Sequence, residues 1–207
     1  MVNNKILVIG ASGLIGGYLY NYLKNRENVI GTCNLNKKEE LVPFDITKPN
    51  YDNLNLENTR YIAVCSGIAK MDKCLANPGY SRLVNVEGVQ RLMNHAHEKG
   101  IIPLYVSSAS VFDGETGNYK EDERKNPVNF YGSQKAEVED FMISELKDFL
   151  IIRPGKVFGI NKGEVGVFTE WLEKYKKKQD LLCAIDERIS PICSEDLARG
   201  TYELMKN

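Results

Sequence analysis

The sequence predicts an α/β fold, a doubly wound parallel sheet, and three observations carry that prediction. An apolar run, Lys5–Ile9, ends in Gly10. A turn with glycines at 10, 13 and 16 follows and opens an amphipathic segment. Strand-like and helix-like segments then alternate as far as Arg153. Strands covered by helices on both faces read as continuous apolar runs rather than alternating ones. Regular β–α alternation with right-handed crossovers builds a parallel sheet.

Taken in order, Leu14, Ile15, Tyr18, Leu19, Tyr22 and Leu23 recur at helical spacing after the turn. Val29–Cys33, Leu41–Phe44 and Tyr61–Cys65 read as the second to fourth strands. A helix is expected from Ser81 to Lys99, with Gly100 as its C-terminal cap. Ile101–Ser107 is the next strand, and a polar loop, Asp113–Asn126, leads to a helix over Tyr131–Leu146. Phe149–Arg153 is a sixth strand. Beyond Pro154 the regularity weakens to a helix near Gly166–Lys177, an extended piece over Leu181–Ile192, and a last helix, Ser194–Met205. Trp171 is read as a packing residue, Lys176–Lys178 as cations suiting a helix C-terminus, and His95 and His97 as part of a solvated face.

Composition narrows the function classes. The 207 residues suit one domain, and 43% hydrophobic content suffices for a buried core. With 27 Lys+Arg against 28 Asp+Glu, the net charge is −1, without the basic excess of a nucleic-acid binder. No apolar run approaches the ~18 residues of a membrane span, and the early strand argues against a signal peptide. The five cysteines (Cys33, Cys65, Cys74, Cys183 and Cys193) form no CxxC pair. They are expected to be reduced, small core hydrophobes in a cytoplasmic protein without a metal site.

The glycine turn carries the cofactor expectation. In a strand–turn–helix context of the Rossmann type, Gly10 permits the tight turn and Gly13 the approach of a pyrophosphate, while Gly16 lets the helix close on the sheet. The phosphates then meet exposed amides at a positive helix end, which makes Gly10, Ser12, Gly13, Leu14, Ile15 and Gly16 candidate ligands. NAD selectivity normally rests on a carboxylate about 20 residues on. Here that place reads Asn34-Leu35-Asn36-Lys37-Lys38, with no acid before Glu39. Asn34 and Lys37 therefore point to NADP, with NAD as the alternative.

Tyr131 and Lys135 stand four residues apart, on one face of a helix. A phenol titrates near ~10 and is a poor proton carrier at neutral pH; a neighbouring ammonium is expected to favour the phenolate. Ser108 ends a strand at the carboxyl edge, where such sheets bind ligands.

In register along the chain stand Gly10–Gly16, Phe44-Asp45-Ile46-Thr47, Met71-Asp72-Lys73-Cys74 and Val84-Asn85-Val86-Glu87-Gly88. Ser107-Ser108-Ala109-Ser110-Val111-Phe112-Asp113-Gly114, Tyr131–Lys135 and Ile152-Arg153-Pro154 follow. On these the chain resembles an extended short-chain dehydrogenase/reductase of the NAD-dependent epimerase/dehydratase superfamily. It is most similar to the dTDP-4-dehydrorhamnose reductase group. The resemblance implies that Tyr131 protonates a substrate carbonyl, Lys135 holds the nicotinamide ribose and lowers the tyrosine pKa, and Ser108 binds the reacting oxygen. It also implies cofactor contacts from Asp45 and Ile46 to the adenine and from Ser66, Gly67, Ser107 and Arg153. Asn85 would support the active-site helix.

The expected function is an NADP-dependent reductase of a keto group on a nucleotide-linked 4-keto sugar, with a homodimer left open. Dehydration is disfavoured, because Ala109-Ser110 stands where related dehydratases carry Asp-Glu. Residues 154–207 are expected to form a reduced substrate-covering region of a single domain, with Lys156 either facing an anionic substrate or solvated. Two alternatives stay open: a nucleotide-sugar epimerase that retains NAD(P), and a catalytically silent NADP-binding subunit like the reductase-like partner of methionine adenosyltransferase.

Overall fold

The computed structural model describes residues 5–161, 164, 166–183, 185 and 188–206. Six strands form the central sheet: β1 (Lys5–Ile9), β2 (Val29–Cys33), β3 (Val42–Pro43), β4 (Thr59–Val64), β5 (Ile102–Val106) and β6 (Leu150–Ile152). Their order is β3-β2-β1-β4-β5-β6, and every neighbouring pair is parallel. The order reverses between β1 and β4. Ligands of such sheets bind in the crevice outside the carboxyl ends at that point.

Side chains of a strand alternate between faces, and here each face meets its own helical layer. Leu7, Ile9, Ile62, Val64 and Tyr105 pack against α4 (Gly88–Glu98) and α5 (Phe130–Glu145) through Leu92, Met93, Val138 and Met142. Ile6, Val8, Ala63, Leu104 and Val106 pack against α1 (Leu14–Leu23) and α7 (Ser194–Lys206) through Leu19, Leu23, Ala198 and Met205. Both faces of β1, β4 and β5 are thus dry. That explains their uninterrupted apolar runs.

The single helix expected over Ser81–Lys99 is broken into parts. α2 (Met71–Ala76) and α3 (Pro78–Arg82) lead into a wide π-turn, Leu83–Glu87, before α4. The Gly88 N–H reaches the Leu83 carbonyl, five residues back. A Cβ on Gly88 would lie 2.7 Å from the Ile46 carbonyl oxygen, so the wide turn and the glycine together let this helix approach the loop after β3. Such π-turns recur at functional sites.

Past β6, β7 (Lys156–Phe158) and β8 (Pro191–Cys193) pair in parallel as a small second sheet, with α6 (Val167–Lys176) between them in sequence. The expected extended piece Leu181–Ile192 contributes only the start of β8, and its positions 184, 186 and 187 lie outside the described residues. α7 belongs to the core layer rather than to a cover. The Tyr61 hydroxyl donates to the Met205 carbonyl at 2.7 Å, and Tyr22 meets Tyr202 edge to face at 5.8 Å.

Two smaller expectations are corrected. His95 is not simply solvated: it stacks on Tyr51 with ring centroids 4.0 Å apart. All five cysteines are free thiols, but only Cys33 and Cys74 are buried, and Cys183 is exposed. Trp171 packs edge-on against Phe168 at 5.5 Å. Among the described residues, no helix is long and apolar enough to cross a membrane.

Candidate active site

β1 delivers the chain into the glycine turn at the crevice. Gly10 has φ +85°, and a Cβ there would meet the Ser66 backbone at 2.9 Å. A Cβ on Gly16 would lie 2.3 Å from the Gly10 carbonyl oxygen, which fixes how closely α1 approaches β1. Gly13 differs: among the described residues, the one atom within 4 Å of a Cβ there would be the Gly10 oxygen at 3.4 Å, an ordinary contact. Protein packing does not require glycine there, and the missing side chain leaves room outside the turn. The first helical bond runs from the Gly17 N–H to the Gly13 carbonyl at 2.8 Å. The amides of Leu14, Ile15 and Gly16 therefore form the positive end of α1, whose own first turn carries no acidic residue. From β2, Thr32 Oγ1 accepts the Gly10 N–H at 3.1 Å and pins the turn.

Ser12, Gly13 and Leu14 open onto a cleft of about 920 Å³ that runs along α1 and also takes in Lys38. Asn34, Lys37 and Asp45 line a second cleft of about 200 Å³ together with Lys48. The Asp45 carboxylate accepts from the Thr47 N–H and hydroxyl at 2.9 and 2.7 Å. Ile46 is buried in the core and turns its carbonyl towards Gly88. Gly67 packs on Asn85, where a Cβ would stand 3.1 Å from Oδ1.

Past the carboxyl ends of β4 and β5, the Ser66 and Ser107 hydroxyls are buried without a hydrogen-bond partner among the described residues. Buried hydroxyls are normally paired, and at the mouth of this crevice the pair suits a hydrogen-bonding ligand. The hydroxyls of Tyr105 and, at the opposite edge of the sheet, Thr59 are unpaired as well. The bare amides, the open Gly13 and the two serines together fit a dinucleotide.

Ser108 begins the short turn Ala109–Val111, and its Oγ accepts the Ser110 N–H at 3.1 Å. Asn129 caps α5 by accepting the Gly132 N–H at 2.8 Å. A Cβ on Gly132 would lie 2.1 Å from the Ser110 carbonyl oxygen. The start of α5 is thus pressed onto the turn after β5, which brings the Tyr131 phenol close enough to the Ser108 hydroxyl for that hydroxyl to pull the phenol's pKa down; the Ser108 Oγ itself donates to Ser110 Oγ at 3.1 Å. Lys135 Nζ donates to the Val106 carbonyl at 2.8 Å and lies 5.6 Å from the Tyr131 ring centroid. The structure brings Ser108, Tyr131 and Lys135 together.

Their electrostatics correct one expectation. Burial pushes the Tyr131 phenol up to about 12, with Cys74 adding to the rise and the Ser108 hydroxyl opposing it. Burial also pulls the Lys135 ammonium down to about 8. Lys135 is directed at a backbone carbonyl, so desolvation outweighs any help it gives the phenolate. A consequence for stability follows. Lys135 holds its proton less tightly in the folded than in the unfolded chain, so this group adds stability as pH rises from about 8 towards 10.5. Relative to Lys135→Met, the wild-type unfolding free energy should gain about 1 kcal/mol between pH 7.5 and 9. Urea titrations at the two pH values measure this, and an unchanged difference would refute it.

Asn85 accepts the Ile68 N–H at 2.8 Å and donates to Gln134 Oε1 at 2.8 Å, and Gln134 donates to Ser81 Oγ at 2.9 Å. The π-turn is thereby joined to α5. Arg153 is not brought to the nucleotide clefts. Its guanidinium is committed to buried Glu139 on α5 and to the Glu121 carbonyl. Lys156 is exposed on β7. Thr32, Gln134, Glu139 and Lys48 were missed by sequence reasoning; only Glu139 carried a signal, its position one helical turn beyond Lys135.

Comparison with known proteins places this geometry. Residues 4–207 match the family described as RmlD substrate binding domain. The chain is 27% identical over 168 residues to methionine adenosyltransferase 2 subunit beta of Xenopus tropicalis, covering 75% of this chain and 47% of that protein. It is 26% identical over 204 residues to dTDP-4-dehydrorhamnose reductase of Aggregatibacter actinomycetemcomitans, covering 94% and 65% respectively. The crystal structure of a hypothetical dTDP-4-dehydrorhamnose reductase from Sulfolobus tokodaii superposes with a TM-score of 0.85 at 28% identity, covering 98% of this chain and 72% of that one. The chain spans about half the length of the Xenopus relative.

Proposed function

The chain belongs to the RmlD substrate binding domain family, and from that premise we propose that it is an NADP-dependent reductase of a keto group on a nucleotide-linked 4-keto sugar. The observation that carries this reading is the convergence of Ser108, Tyr131 and Lys135 past the carboxyl end of β5, on the same edge of the sheet as the glycine turn. Hydride chemistry belongs to a bound nicotinamide, which the protein orients. Tyr131 keeps its proton at neutral pH because burial holds its pKa at about 12. It releases that proton only to a stronger base, such as a carbonyl oxygen turning into an alkoxide. Ser108 holds that oxygen, and Lys135 supports the nicotinamide ribose. Among the described residues, the small sheet of β7 and β8 is assigned to the substrate side.

Lys37 and Lys48 beside Asn34 support NADP, since no carboxylate follows β2 directly and the Asp45 carboxylate is engaged by Thr47. NADP should raise the melting temperature more than NAD at equal concentration; the reverse order would overturn the cofactor assignment. The five free thiols fit a reducing, cytoplasmic setting.

The relative from Xenopus favours a second reading, a silent NADP-binding subunit. NADPH oxidation against a panel of nucleotide-linked 4-keto sugars separates the readings. Consumption of NADPH supports the reductase. Conversion of a nucleotide sugar without net loss of NADPH indicates an epimerase. Tight NADP binding with no turnover indicates the silent subunit.

A further inference from the structure

Glu139 lies one helical turn beyond Lys135 on α5, and its side chain is wholly buried. A carboxylate there needs compensating cations. Arg153, just past β6, supplies one: its Nε stands 3.0 and 3.2 Å from the two carboxylate oxygens and its Nη2 2.8 Å from Oε2. Lys125, in the loop before α5, places Nζ 3.4 Å from Oε2 and 2.6 Å from exposed Asp140. The other titratable groups around Lys135 are Cys65 past β4, Cys74 on α2, Tyr105 on β5 and Tyr131 on α5. Thiols and phenols carry no charge at neutral pH. The charge balance at Lys135 therefore turns on Glu139 and the two cations gathered on it.

We propose that Glu139 is a positioning residue for the Tyr131–Lys135 pair, balancing the cations of Arg153 and Lys125 so that Lys135 remains an ammonium bonded to Val106. The same cluster fastens the loop Asp113–Asn126 to the helix that bears the pair. Arg153 also donates to the Glu121 carbonyl at 3.0 Å and lies over the Phe112 ring at 5.2 Å. The catalytic consequence rests on the reductase reading; the electrostatic arrangement does not. Without Glu139, Arg153 loses its carboxylate and Lys125 keeps only exposed Asp140, so the net charge around this stretch of α5 becomes more positive and favours loss of the Lys135 proton. Without Arg153 the Glu139 anion favours retention.

Lysine-selective 15N NMR of the full chain reads the Lys135 Nζ titration directly, with the signal assigned by its disappearance in Lys135→Met. Glu139→Gln should move the midpoint down by about one pH unit, and Arg153→Met should move it up by about as much. Lys125→Ala should move it up by less. Opposite signs support the proposal. Midpoints that stay put, or that all shift in one direction as from loosened packing, overturn it. Should the two buried-pair variants fail to fold, Lys125→Ala at its partly exposed position decides: an upward shift supports the proposal and no shift refutes it. No turnover is needed, so these shifts in a protein that never oxidises NADPH would sink the reductase reading and leave this one standing.

Discussion

Tyr131→Phe is expected to keep NADPH binding and the fold while ketone reduction falls by about a hundredfold to ten-thousandfold, the usual contribution of a positioned general acid. The substitution removes one hydroxyl. The ring remains against its neighbours, so the start of α5 and the glycine turn should stay where they are. What disappears is the proton that burial keeps on the phenol, with its pKa at about 12, and the polar group that faces Ser108. Single-turnover reduction of a nucleotide-linked 4-keto sugar, alongside NADPH fluorescence titration, separates chemistry from binding. Unchanged turnover would remove Tyr131 from its assigned role.

The second large effect concerns a residue without a side chain. Gly132→Ala forces a Cβ to within 2.1 Å of the Ser110 carbonyl oxygen and 3.0 Å of its carbon, both backbone atoms that cannot rotate away. Either α5 or the turn after β5 must retreat. Overpacking of this kind costs about 1–3 kcal/mol. Tyr131 adjoins Gly132 and Ser108 opens the opposing turn, so the retreat also separates them, and a misplacement of about 1 Å can cost about a hundredfold in rate. Gly200→Ala is the contrast. Gly200 sits inside α7 with open space around it, and alanine there should stabilise by up to ~1 kcal/mol. Urea titration and turnover of both variants give the comparison. A Gly132→Ala protein with wild-type rate would show that the turn yields without moving Tyr131.

Much of the fold was legible in the chain, because its signals are local. The apolar runs of β1, β4 and β5 announce strands covered on both faces, and Gly10 and Gly16 mark a turn that only glycine can make. The helical spacing of Tyr131 and Lys135 puts them on one face before any tertiary contact is known. The failures share a cause as well. β7 and β8 are too short to show a period and exist through their pairing with each other. The π-turn at Leu83–Glu87 is imposed by the approach of Gly88 to Ile46, a contact between distant segments.

The sequence by itself determined the parallel sheet, the glycine turn, the shared helix face of Tyr131 and Lys135 and the strand-end place of Ser108. Tertiary structure alone decided how those groups are charged and aimed. Burial raises the Tyr131 phenol and lowers the Lys135 ammonium, the Val106 carbonyl takes the lysine, and Glu139 claims Arg153 from the nucleotide side. The physical reason is that periodicity and turn chemistry act over a few residues. Desolvation and ion pairing depend on what the fold brings together from opposite ends of the chain.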